Sequence, residues 1–112
     1  MTTEQTLMEL GVREFNPNET MYVLTKTQGG IPYMCWGVEK VIRIGLTEDD
    51  YVKGLLLKVT GMKWKHFVLI TLNGLDYYEV RLINDMMIVV ETIDNDIMFD
   101  ELVDVIDKLI ES

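Results

Sequence analysis

Residues 66–112 read HFVLITLNGLDYYEVRLINDMMIVVETIDNDIMFDELVDVIDKLIES, and a change of hydrophobic period inside this stretch decides the fold. Up to Val90 the apolar residues come in short runs broken by Asn73-Gly74 and Asn84-Asp85, which mark hairpin turns between strands. In Tyr77 to Ile83, Tyr78, Val80 and Leu82 alternate with Glu79 and Arg81, the pattern of a half-covered strand. Phe67-Val68-Leu69-Ile70 is apolar on both pleat faces, as a central strand covered twice would be, and Met86 to Val90 reads the same way.

Past Asp96 the spacing becomes helical. At about 100° per residue, Met98, Phe99, Leu102, Val103, Val105, Ile106, Leu109 and Ile110 fall on one arc of about 160°. Asp100, Asp104, Asp107 and Glu111 fill the opposite side. Asp94, Asn95 and Asp96 offer side-chain oxygens and negative charge to a helix start, which places that start near Asp96 to Met98. Burial of the apolar arc, at roughly 1.5 to 3 kcal/mol per large side chain, is what holds such a helix to a sheet.

Upstream, Thr2 and Gln5 have capping-box spacing and Gly11 is placed to end a helix, which predicts a short helix over Thr3 to Leu10. Asn16-Pro17-Asn18 marks a turn. Thr20 to Thr27 is rich in residues suited to a pleated surface and reads as a first strand, ended by Gln28-Gly29-Gly30. The Ile31 to Gly37 segment carries a proline between glycines and makes no clean central strand. Val38 to Ile44 reads as a second strand, Leu46 to Asp50 as an acidic loop, and Tyr51 to Thr60 as a third strand. A helix over Glu48 to Leu57, capped by Thr47, competes with that last reading. The predicted fold is therefore α+β, a single domain over residues 1–112: a short N-terminal helix, an antiparallel meander sheet of roughly 4–6 strands, and a C-terminal amphipathic helix packed on one sheet face. The other face needs the N-terminal helix, the Ile31 to Trp36 segment or a second copy of the chain to cover it. Phe67 and Leu69 mark that face and make a homodimer the expected assembly.

The chain has 112 residues, enough for one core. A formal charge of −9 argues against direct contact with nucleic-acid phosphates and leaves basic protein surfaces as natural partners. No stretch approaches the roughly 20 apolar residues of a membrane helix, and the first residues do not resemble a secretory signal. One cysteine, Cys35, excludes an internal disulfide and fits a reducing cytoplasm.

Candidate chemistry is sparse. Cys35 and His66 are the sole thiol and imidazole, so a cysteine hydrolase would need both. Cys35, between Met34 and Trp36, reads more simply as a small buried residue. Two such ligands fall short of a zinc site. Asp94, Asp96 and Asp100 with Glu48, Asp49 and Asp50 carry the oxygens a divalent cation needs, but the first group lacks the glycine and bidentate glutamate of a calcium loop and is explained more simply by helix capping. Gln28-Gly29-Gly30 lacks the lysine and following helix of a phosphate loop. No catalytic, cofactor or metal residue is assigned. Lys63-Trp64-Lys65 departs from the acidic balance and offers an indole between cations, suited to stacking a base, to holding an acidic peptide, or simply to a basic turn. The expected function is that of a small acidic interaction module, self-associating, with an unidentified protein partner. An acidic inhibitor or nucleic-acid mimic using Asp100, Asp104, Asp107 and Glu111 is the alternative, and an enzyme the third. Four charges over roughly 16 Å of helix are sparse beside a duplex with one charge per about 1.7 Å.

Overall fold

Five strands pair in chain order into one antiparallel meander: β1 (Lys40–Ile44), β2 (Gly54–Lys58), β3 (Phe67–Leu72), β4 (Tyr78–Ile83) and β5 (Val89–Ile97). The computed structural model describes residues 3–111. Helix α1 (Thr3–Met8), helix α2 (Pro17–Lys26), a turn over Thr27–Gly30 and helix α3 (Ile31–Cys35) precede the sheet, and α4 (Leu102–Ile110) follows it. The α+β fold with a C-terminal helix on the sheet is as the sequence predicts. The capping role assigned to Thr2 lies outside the described residues.

Three of the four hairpins share one plan. Asn73 accepts backbone N–H bonds from Leu75 and Tyr77, Asn84 accepts them from Met86 and Ile88, and the Thr47 hydroxyl accepts one from Tyr51. Three residues on, Asp76, Met87 and Asp50 take left-handed backbone, with φ of 68°, 61° and 64°. These are three-residue loops closed by a left-handed residue, so Asn73 acts through its side chain and Gly74 is not the left-handed residue of a two-residue turn.

The sheet is apolar on both faces, and the two are covered unequally. On one face Leu55, Leu57, Val68, Ile70, Val80 and Leu82 pack beneath α2, α3 and α4. On the other, Leu56, Leu69 and Ile83 join Leu7 of α1 and Ile44 in a smaller cluster. Beyond that cluster the second face turns polar: the Arg81 guanidinium donates to the Thr71 hydroxyl at 2.9 Å and lies 3.5 Å from Glu79. With side chains 13 % and 14 % exposed, this pair satisfies itself, so a helix as short as α1 is enough cover.

Three sequence readings change. The Thr20 to Thr27 run is helix, not strand. Asn16 caps it by accepting the Asn18 N–H at 2.9 Å, and Pro17 sits at the first helical position, where its missing N–H is harmless. Besides Pro17, α2 buries Thr20 and Leu24, one helical turn apart, so tertiary burial overrides the β propensity of the run. Second, Met86 to Val90 is not a doubly covered strand. β5 is an edge strand of the sheet, and Met86, Ile88, Val89 and Val90 are exposed. Third, Asp94, Asn95 and Asp96 do not cap α4. They form a bulge in β5 between the pairs Val80–Ile93 and Tyr78–Ile97, with Asp96 left-handed. The regular helix starts at Leu102, four to six residues past the expected start at Asp96 to Met98. The helix reading of Glu48 to Leu57 is also displaced, by β2.

A strand over 20–27 would put Tyr22 and Leu24 on one face, whereas α2 buries Leu24 fully and leaves Tyr22 67 % exposed. Leu24→Ala is expected to lower stability in a urea melt by about 2–5 kcal/mol and Tyr22→Ala by less than about 0.5. Comparable losses would contradict the helix.

Candidate functional site

Trp36 is the hub of the helical side. It is fully buried, its indole N–H donates to Asp107 of α4 at 2.9 Å, its ring meets Tyr33 at 5.8 Å, and its carbonyl accepts the Thr60 N–H at 2.9 Å. Gly37 follows with φ of 59°, and a Cβ there would fall 2.0 Å from the Thr60 hydroxyl, so no larger residue fits. Trp36 thus locks α3, α4 and the loop after β2 together. Cys35, expected to be buried, is exposed, because the short α3 turns Trp36 inward and Met34 and Cys35 out.

His66 does not turn to Cys35. Its Nδ1 lies 2.8 Å from Asp85, and its ring meets Trp64 edge-on at 4.9 Å. The basic turn is largely structural. The Lys63 ammonium and backbone N–H donate to the carbonyls of Lys108 and Ile110, closing the C-terminus of α4. Trp64 is half-buried with its indole N–H on the Phe67 carbonyl, and Lys65 is exposed. Among the described residues no three of His, Cys, Asp or Glu gather as a metal site requires.

The proposed interaction residues do not form one surface. Leu69 is fully buried in the cluster beneath α1 and Phe67 is half-buried. Nor are the carboxylates of α4 a free row. Asp107 holds Trp36, and Asp104 accepts from the Gln28 amide at 3.3 Å.

What the sequence misses is the link between β5 and α4. Met98 and Phe99, placed by periodicity on the buried arc, precede the helix and are 47 % and 63 % exposed. A turn of backbone holds them: the Met98 N–H donates to the Glu101 carboxylate at 3.0 Å, and the Glu101 N–H to the Met98 carbonyl at 2.9 Å. Phe99 then stands as a wall shared by two open clefts. One, of about 310 Å³, is lined by Glu19, Leu72, Asp76, Tyr78 and Met98. The other, of about 300 Å³, is lined by Tyr22, Val23, Lys26, Thr27 and Asp100.

No family model, curated protein or solved structure matches this chain. The case for a site therefore rests on its geometry. Among the described residues no helix is long and apolar enough to cross a membrane. A wider cleft of about 540 Å³ lies beside α1, lined by Gln5, Met8, Glu9 and Lys53.

The floor of the first cleft is tied to the core. The hydroxyls of Tyr78 and Thr20 share a buried hydrogen bond of 2.7 Å that links β4 to α2. Burial pushes the Tyr78 phenol up from its ordinary value, the Glu19 carboxylate adds to the rise, and the Thr20 bond opposes it. Above about pH 10 the unfolded chain releases this proton while the folded chain keeps it, so stability falls as pH rises. Wild-type stability, followed by urea melts between neutral and strongly alkaline pH, is expected to fall more steeply than that of Tyr78→Phe. Parallel curves would contradict the assignment.

Proposed function

We propose that this chain is a protein-interaction module that works through the seam between α2 and α4, where an acidic surface carries exposed aromatic residues. The observation that supports it is Phe99, a large apolar ring 63 % exposed on a backbone turn held by its own hydrogen bonds and flanked by two clefts. Large apolar side chains grouped on a polar-rimmed surface are characteristic of binding sites. Cys35 and His66, which point to separate surroundings, leave the reading without a catalytic step.

Cytoplasmic residence belongs to the same reading, since an exposed lone thiol suits a reducing compartment. Self-association through Phe67 has less apolar surface to use, because α1 already covers Leu69. The duplex-mimic reading needs free carboxylates, and those of Asp104 and Asp107 are engaged by Gln28 and Trp36. The seam is thus favoured over both.

The test is site-specific photo-crosslinking in cells that produce the protein, with benzoylphenylalanine in place of Phe99, Lys65 or Phe67 in turn. Protein adducts are expected from position 99. Adducts confined to positions 65 or 67, or none at all, would overturn the reading.

A further inference from the structure

The chemistry around Phe99 narrows the kind of partner. The floors of the clefts are apolar: Leu72 and Tyr78, each 9 % exposed, on one side, and half-buried Val23 on the other. Aromatic rings line them, with Phe99 common to both clefts, Tyr77 in one and Tyr22 in the other. The charges are mostly acidic. Glu19, Asp76 and Asp100 line the clefts against Lys26 alone. Asp76 is matched by Arg13 at 3.0 Å, whereas Glu19 and Asp100 have no ion-pair partner among the described residues.

Three classes of occupant fit badly. A second copy seated isologously would set one predominantly acidic patch against another, in chains that each carry −9. A nucleic acid meets the same repulsion. A small molecule would find two open clefts near the lower end of the 300–1,000 Å³ range in which ligands are enclosed. An amphipathic cationic segment satisfies all the features at once: apolar side chains fill the floors, guanidinium or ammonium groups stack on the rings, and their charge meets Glu19 and Asp100.

We infer that the paired clefts around Phe99 dock a cationic segment of a partner protein, with an apolar side chain in each cleft and lysine or arginine over Glu19 and Asp100. The inference rests on the interaction-module reading and adds the chemistry of the partner. Phe99 is the anchor, and the carboxylates set orientation and association rate.

The experiment is an NMR titration of the full chain with a short synthetic peptide alternating lysine with leucine and phenylalanine. Two controls accompany it: the same peptide with glutamate for lysine, and spermine, which has charge without apolar side chains. Shifts are expected to concentrate at residues 19, 22, 23, 26, 77, 99 and 100. Phe99→Ala is expected to weaken binding by about tenfold or more, while Glu19→Gln with Asp100→Asn weakens it several-fold, an effect that fades with added salt. All three positions are exposed, and thermal melts of the variants confirm that they remain folded. Equal affinity of Phe99→Ala and wild type, equal binding of spermine, binding of the glutamate peptide, or shifts centred on Lys63 to Phe67 would each overturn the inference. Cellular adducts from position 99 alongside such a result would retain the interaction module and remove only the cationic partner. Adducts the mass of two chains would replace that partner with a second copy.

Discussion

A sheet whose central strand is apolar on both sides has to be covered twice, and the rest of this structure follows from that constraint. Val68 and Ile70 of β3 face one way and Leu69 the other, all fully buried. The helical cover is built around Trp36, which has one bond to α4 through Asp107 and another to the loop after β2 through Thr60. Losing either would leave a buried polar group unpaired, which costs about 1–3 kcal/mol. The opposite cover needs only Leu7 and its neighbours on α1, because Thr71, Glu79 and Arg81 satisfy one another where the apolar cluster ends.

The way the helical cover closes also creates the proposed binding surface. α2 and α4 meet over the sheet, and the chain enters α4 from the edge strand β5, whose acidic bulge delivers Ile97 to the core and leaves Met98 and Phe99 outside. The helix start is therefore displaced by a strand irregularity, and the residues passed over are large and apolar. Their exposure is a product of the topology, and a partner with apolar side chains would reverse it.

The meander and the helix after it were legible because both periods are written in the chain: alternation through Tyr78, Val80 and Leu82, then helical spacing through Leu102, Val103, Ile106 and Ile110. The run from Thr20 to Thr27 misleads because its threonines and valine favour strands locally, while its burial is decided by contacts with β4 and α4 that lie far along the chain. Asn16 followed by Pro17 was the local signal for a helix start. Acidic residues at 94–96 misled for a related reason: the side-chain oxygens that cap helices also stabilise left-handed backbone in a bulge, and only the pairing of Tyr78 with Ile97 separates the two. The candidate site was the least legible part. Phe99 obeys the periodicity of α4 and simply lies outside the helix.

The central claim is that this fold buries Trp36 and Leu69 while presenting Phe99, Met98 and Tyr22 to solvent. Hydroxyl-radical footprinting read by mass spectrometry measures that contrast in one experiment, side chain by side chain, on the native chain. The account predicts rapid oxidation of Phe99, Met98 and Tyr22, with Trp36 protected despite its intrinsic reactivity and Leu69 unmodified. Protection of Phe99 in the isolated protein, or oxidation of Trp36 at the rate of an exposed indole, would contradict it.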